Sequence, residues 1–360
     1  MFTLDPVNVA LVGCGAVSEL YYQPALTELE RHDLLRVKAL LDPNAQRRQQ
    51  LNTYFPEAIQ VEDVSELHNS HLDLAIVASP PRYHAEQTIQ LLESGLAVLC
   101  EKPMATTVVD GEAMVKVASQ VQRPLAIGLF RRFFPATQTI RDILMAGILG
   151  QVQSFYCCEG GPFRWPVQSA SFFQKDLAGG GVLLDIGVHL LDLLIWWWGY
   201  PVGIRYEDDA MGGLEVNCRI NLTFAEGFSG EVRLSRDWAQ PNHYVIYCEK
   251  GWLSWKVNNA SEINMGLYDT KFALNGQLYE NKFNRQRPSL GQPAYTFEQS
   301  FVAQLRNVVC TVRGIEEPAV PGQEGLESLK LIEYCYQHRS LMAMPWLGEA
   351  ERSRVHQLGF

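Results

Sequence analysis

The sequence predicts two domains, a doubly wound parallel α/β sheet over residues 1–128 and an α+β domain on a mostly antiparallel sheet over residues 129–360. Three observations carry this expectation. Residues 1–128 alternate short β-branched runs with amphipathic ones, as a parallel sheet wrapped by helices requires. The stretch "LVGCGAV" sets two glycines directly behind the first such run. From Gln151 the texture changes to strand-like runs separated by Gly and Asn turns, which suits hairpins. At 360 residues, each half can hold its own core.

Taken in order, strands are expected at Val7–Val12, Val37–Leu41, Leu74–Ala78, Ala97–Cys100 and Leu125–Gly128, short aliphatic runs of the kind buried on both faces. Helices fall at Gln46–Tyr54, Tyr83–Ser94 and Val108–Gln120, and Pro24 is expected to kink or split the helix that follows Glu19. The boundary lies between residues 128 and 150. Beyond it stand the runs "EVNCRINLTF", "GFSGEVRLS", "HYVIYCEKGWLSWKV" and "FALNGQLYE", then closing helical stretches at Phe297–Val312 and Gly325–Met342. The eight cysteines (Cys14, Cys100, Cys157, Cys158, Cys218, Cys248, Cys310 and Cys335) occupy apolar contexts without a CxxC spacing, so free buried thiols are expected.

Composition narrows the partners. Thirty basic against forty acidic residues give a net charge of −10, which argues against nucleic acid or an anionic membrane. The N-terminus has no cationic n-region or cleavage site, and a cytoplasmic location is expected. One stretch is unusual: "GGGVLLDIGVHLLDLLIWWWG", residues 179–199, is apolar except for Asp185, His189 and Asp192, which share a stripe at about 100° per residue. A membrane span is disfavoured because the run is short and each Asp near its centre would cost roughly 2.5 to 3.5 kcal/mol. A satisfied core network is the plainer alternative. Three polar groups in register behind a Gly triplet point instead to the wall of a cleft.

The turn after the first strand has the chemistry of a phosphate cradle. Gly13 permits the tight turn, Gly15 lets a pyrophosphate approach, and Ala16 and Val17 open a helix whose N–H groups face the anion. Ser18 replaces the usual third small residue, a departure expected to loosen the helix–strand contact. Asp42 ends the second strand, where an acid bonds a ribose 2′-OH and repels a 2′-phosphate, favouring NAD; Arg47 and Arg48 keep NADP open. "AVLCEKPMA" runs off a strand into Glu101 and Lys102, and "VASPPRYHAE" ends the preceding strand with Ser79, Pro80 and His84, positions suited to a nicotinamide pocket. Lys102, standing before Pro103, is held out of the α region.

With "DPN" at Asp42, "SPPRYH" at 79–84, "EKPMA" at 101–105, "RRF" at 131–133 and "DIGVHLLD" at 185–192, the chain resembles the glucose-fructose oxidoreductase, inositol dehydrogenase and rhizopine-catabolism (Gfo/Idh/MocA) family. The resemblance implies a Rossmann domain, a C-terminal domain with a large open-faced sheet that often mediates oligomerisation, and nicotinamide-dependent hydride transfer at a sugar or cyclitol carbon, with no metal. Lys102, Asp185 and His189 match the family's catalytic set, with Asp192 as a helper. In that chemistry His189 takes the hydroxyl proton, Lys102 stabilises the alkoxide, and Asp185 orients the substrate hydroxyl or holds the imidazole.

Ahead of the helix, Phe163, Trp165, Phe172 and Phe173 are candidates for stacking on a sugar ring, and Arg164 or Lys175 for holding an anionic substituent. Two rival functions are a non-catalytic sensor of dinucleotide and sugar, and a glycosidase that uses bound NAD internally for oxidation, elimination and re-reduction. The alternating runs of the second half leave an apolar sheet face uncovered, so a homodimer or homotetramer is expected.

Overall fold

The structure, a computed structural model, describes residues 5–67, 71–166, 173–281, 290–343 and 347–357. "VNVALV" is apolar at almost every position, and the strand it forms, β1 (Val7–Val12), is buried on both faces. Such a strand belongs at the centre of a covered parallel sheet. With β2 (Leu35–Leu41), β3 (Ile59–Val61), β4 (Leu74–Val77), β5 (Ala97–Cys100) and β6 (Leu125–Ile127) it makes a six-stranded sheet of order β3-β2-β1-β4-β5-β6, parallel throughout. The order reverses between β1 and β4, so a ligand crevice opens beyond their carboxyl ends. The crossovers use α1 (Gln23–Arg31), α2 (Ala45–Asn52), α3 (Pro81–Glu93) and α4 (Val108–Val121). As expected, the first helix is split: a π-helical turn at Ser18–Tyr22 hands over to α1, with Pro24 in its first turn, where a missing N–H costs nothing. The short edge strand β3 carries no periodic pattern and was not anticipated.

Two compact units emerge, one made of residues 1–130, 165–179 and 301–330 and the other of residues 131–164, 180–300 and 331–360. A single boundary after 128 does not anticipate the two returning segments. In the first unit, Ile127 donates its N–H to Val320 O (3.0 Å). Leu326 and Leu329 lie so close to Gly111 of α4 that a Cβ there would come within 2.9 and 3.1 Å of their methyls. Phe301 stacks on Tyr21 and Phe130, with ring centroids 4.7 and 4.6 Å apart.

The second unit is built on a nine-stranded sheet. Its strands are β7 (Val152–Gly160), β8 (Gly203–Asp208), β9 (Asn217–Thr223), β10 (Ser229–Ser235), β11 (His243–Cys248), β12 (Gly251–Lys256), β13 (Glu262–Leu267) and β14 (Ala273–Gln277), joined by the late strand β17 (Arg339–Leu341). A separate pair, β15 (Tyr279–Asn281) and β16 (Leu290–Pro293), stands apart. The order is β14-β13-β12-β11-β7-β10-β9-β8-β17, antiparallel except where β10 meets β7 and β17 meets β8. The closing helices are α8 (Phe297–Val312) and α9 (Gly322–Gln337). A helix running to Met342 was expected. Instead α9 stops at Gln337, and Arg339 bonds the buried Asp208 carboxylate as β17 joins the sheet edge.

Burial alternates along the strands. On β9, Cys218, Ile220 and Leu222 are buried while Asn217, Arg219, Asn221 and Thr223 are half-exposed. Most aliphatic residues are thus on the covered side, which includes α5 (Pro135–Met145) packed on β13. The open side is more polar than expected, with Tyr156, Val245 and Tyr247 set among Arg219, Glu231 and Arg233. All eight cysteines are unbridged, and only Cys310 among them is not buried.

One helical run, Lys175–Trp198, is long and apolar enough to cross a membrane, so length does not exclude a span as the sequence suggested. In this fold, however, 61% of its most apolar window is buried inside the protein, as in the core helix of a globular domain.

Candidate active site

In the first unit the glycine turn is defined by what surrounds it. Gly13 has φ +91°, and a Cβ there would lie 2.6 Å from Ser79 N at the end of β4, so only glycine fits. A Cβ on Gly15 would meet no protein atom within 4 Å, the uncrowded backbone a pyrophosphate needs. Ala16 and Val17 open the helix, and Glu19 N–H donates back to Gly15 O at 3.0 Å. Ser18 does not loosen the turn as expected. It is fully buried, and its hydroxyl donates to Gly13 O at 2.5 Å.

Asp42 is buried at the end of β2 and lashes the turn in place, accepting from Cys14 N–H (2.9 Å) on one oxygen and Asn44 N–H (2.8 Å) on the other. Arg47 approaches it to 3.9 Å. Arg48, expected to share a phosphate-binding role, is instead buried and structural, donating to Asp42 O and to Glu62 (2.9 Å). An uncrowded glycine, a helix N-terminus and a carboxylate at the second strand's end together fit a dinucleotide.

The loops after β4 and β5 are tied together. His84, expected to line the nicotinamide pocket, is fully buried between two carbonyls, with Nδ1 2.8 Å from Pro103 O and Nε2 2.7 Å from Ser79 O. Its role is to clamp the two loops. Burial lowers its basicity, with the carbonyls pulling the other way. The Ser79 hydroxyl donates to Gln87 at 2.6 Å, and Pro80 caps α3.

Glu101 was also expected beside the cofactor, yet both its oxygens meet protein donors, Tyr22 Oη (2.7 Å) and Lys102 N–H (3.0 Å). Burial pushes its carboxyl up. Gly128 makes room for it, since a Cβ there would come within 2.9 Å of Oε1. Glu101 therefore supports the backbone of Lys102, which is half-buried and joined to Pro103 by a cis peptide. Trp165 lies in this unit against Tyr21, with ring centroids 6.0 Å apart.

The second unit explains two glycines of the triplet, Gly180 and Gly181. A Cβ on Gly180 would collide with the Tyr336 hydroxyl and one on Gly181 with Glu215. The Glu215 carboxylate accepts from Gly181 N–H (3.0 Å), Leu183 N–H (3.0 Å) and Tyr336 Oη (2.7 Å), closing the helix start. Instead of a uniform α-helix, the short α6 (Lys175–Ala178) is followed along the chain by a π-helical turn at Leu183–Gly187 that leads into α7 (Val188–Trp198). Such turns are frequent at functional sites.

Asp185 lies within that turn, half-buried and ion-paired with Arg236, and His189 follows one turn later, buried to 5% exposure. Asp192 departs from expectation. It is 1% exposed and gripped by Arg132, with Nε 2.9 Å from Oδ2 and Nη2 2.5 Å from Oδ1. It anchors α7 to the "RRF" segment. Arg131 beside it binds Glu159 at 2.9 and 2.5 Å.

Arg164, Phe173 and Lys175 are exposed, Phe163 is half-buried, and Phe172 lies outside the described residues. Sequence reasoning missed Arg236 and Glu215. An Arg directly behind a strand run was the only hint of the first, and nothing local marked the second. Lys102 belongs to the first unit, Asp185 and His189 to the second.

A parallel sheet of this order with an open glycine turn defines a doubly wound domain of the dinucleotide-binding class. More narrowly, the chain belongs to the Gfo/Idh/MocA family. Residues 7–129 match that family's model for "Oxidoreductase family, NAD-binding Rossmann fold", and residues 137–254 match the "GFO/IDH/MocA C-terminal domain".

The chain is 32% identical over 206 residues to the D-glucoside 3-dehydrogenase of Escherichia coli (strain K12), covering 55% of this chain and 56% of that one. It is 26% identical over 202 residues to the scyllo-inositol 2-dehydrogenase (NADP(+)) IolW of Bacillus subtilis (strain 168), covering 56% and 54%. The chain thus spans little more than half the length of these relatives. In fold it is similar to KijD10, a 3-ketoreductase from Actinomadura kijaniata solved with NADP and TDP-benzene, at a TM-score of 0.78 and 22% identity, covering 95% of this chain and 100% of that one.

Proposed function

We propose that this chain is an NAD(P)-dependent dehydrogenase or reductase acting on a secondary alcohol or ketone of a sugar, sugar derivative or cyclitol. The observation that carries this reading is the π-turn helix: Asp185 and His189 stand one turn apart, while Asp192 is withdrawn into its ion pair, in a chain whose other domain is of the NAD-binding Rossmann type. Relatives named for D-glucoside and scyllo-inositol oxidation support the substrate class.

Bound nicotinamide would supply the two-electron hydride acceptor. The chain's own residues do the rest. Gly13, Gly15, Ala16 and Val17 bind the pyrophosphate and Asp42 the ribose, which favours NAD, while Arg47 gives NADP a counter-charge. Ser79, Pro80 and Lys102 border the nicotinamide, with His84 and Glu101 holding their loops. His189 accepts the substrate hydroxyl proton, and the Lys102 ammonium stabilises the developing alkoxide. Arg164 and Trp165 flank the sugar. The open side of the nine-stranded sheet supports assembly into a homodimer or homotetramer.

The test is a screen of free sugars, glycosides and cyclitols with the purified protein, following NADH or NADPH. Net reduced cofactor with a sugar supports the reading. Product without net reduced cofactor would favour the internal redox-elimination chemistry, and binding without turnover would favour a sensor.

A further inference from the structure

Arg236 has no part in the chemistry above, yet it grips one of the residues that chemistry depends on. It follows β10 with its backbone held on both sides, its N–H donating to Val216 O (2.9 Å) and its carbonyl accepting from Phe163 N–H (3.0 Å). Its guanidinium lies over the Phe163 ring, 5.2 Å from the centroid, and pairs with Asp185. The two side chains are 23% and 18% exposed, a setting that screens the pair less than open surface would.

Burial lowers the guanidinium to about 10 while Glu159 pulls it upward, so the side chain is a cation at neutral pH. Three charged or titratable groups stand beside the pair on its own and adjoining elements among the described residues. Glu159, at the end of β7, is paired with Arg131; Asp237, next in the chain, accepts from the Ser235 hydroxyl (3.1 Å); His189 lies one turn beyond Asp185.

We propose that Arg236 is a positioning residue that keeps the Asp185 carboxylate ionised and aimed, so that Asp185 serves as a fixed anion and the substrate proton goes to His189. This rests on the reading of His189 as the base. An arginine-bound carboxylate is a poor proton acceptor, because protonation forfeits the ion pair. A fixed anion one turn from the imidazole favours the imidazolium that forms. The step would balance with nicotinamide bound as the two-electron acceptor: the O–H proton goes to the His189 imidazole, the C–H hydride would go to the acceptor, and the alcohol carbon would become a carbonyl.

The test compares wild type, R236Q and R236K by kcat and KM across pH, and by infrared titration of carboxyl groups in the ligand-free proteins, with D185N and R236Q/D185N to assign the Asp185 band. R236Q should lower kcat about 10- to 100-fold, the loss of a charge-assisted bond, and move the acidic limb of the profile upward, with the KM for NAD near wild type. R236K should return the limb to its wild-type position.

In the infrared, R236Q should protonate one carboxyl at higher pH than wild type, and that band should vanish in R236Q/D185N. A wild-type profile in R236Q, or an unmoved limb with equal loss in both variants, overturns the proposal. The infrared readout needs no turnover, and far-UV circular dichroism checks folding. A shifted carboxyl in a protein that oxidises no sugar overturns the catalytic role while keeping the pair, whereas an unshifted carboxyl removes the pair itself.

Discussion

A carboxyl group that is buried yet hydrogen-bonded at both oxygens keeps its proton to higher pH than one in water, and Glu101 is of this kind. The folded state then binds more protons than the unfolded chain above the ordinary carboxylate range, so stability falls as pH rises through that interval. Glu101→Gln removes the buried charge and keeps one acceptor oxygen, for Lys102 N–H, while its Nε2 can donate to Tyr22 Oη in place of the bond Glu101 accepts from that hydroxyl. It should therefore melt at or above the wild-type temperature at neutral pH, with the difference closing below about pH 4; a variant markedly less stable at pH 7 would show the carboxylate to be favourable. Lys102→Ala and His189→Ala should each lower turnover at least about 10²-fold while dinucleotide affinity stays near wild type, measured by steady-state kinetics and fluorescence titration. Asp42→Ser should weaken NAD binding and improve NADP relative to it, since the carboxylate that repels a 2′-phosphate is gone. A wild-type protein that already prefers NADP tenfold would contradict that assignment.

At the scale of elements, α7 is held by the Arg132–Asp192 pair, and breaking one side of a buried pair leaves the other charge stranded. Asp192→Ala should cost about 3 to 5 kcal/mol in urea unfolding, and Arg132→Met with Asp192→Leu should recover most of it; equal losses in the single and double variants would mean that packing, not charge, is what α7 loses. The same pair shows what the chain reveals locally and what it conceals. Helical spacing placed Asp185, His189 and Asp192 on one stripe, but Asp192 meets an arginine 60 residues away, and no local periodicity names such a partner. Glu215, which closes the helix start, is likewise 34 residues from Gly181. Five strands of the first sheet were legible because each is mostly apolar, whereas β3, "IQV", is too short and mixed to stand out. In the second unit β7, β8 and β13 mix polar and apolar residues on a half-open sheet, and their pairing comes from distant neighbours. The glycine turn and the Lys102 loop were legible from motif spacing, whereas the inward roles of His84 and Glu101 depend on carbonyls and hydroxyls that only the folded chain delivers.

For the whole molecule, the nine-stranded sheet exposes one side carrying Tyr156, Val245 and Tyr247 among arginines and glutamates, a mixed surface suited to a polar-rimmed contact with a second copy. Light scattering coupled to size exclusion at low micromolar concentration should return a multiple of 40.6 kDa, and the monomer mass alone would refute the assembly. The returning segments of the first unit bear on how the protein is made. A ribosome releases the nucleotide-binding strands first, but Val320 O, Leu326 and Leu329, which complete the β6 edge and cover Gly111, are synthesised only after nearly all of the second sheet. The first domain to be translated is therefore among the last to be finished, and its unsealed edge is what a nascent chain must shield until residue 330 has emerged.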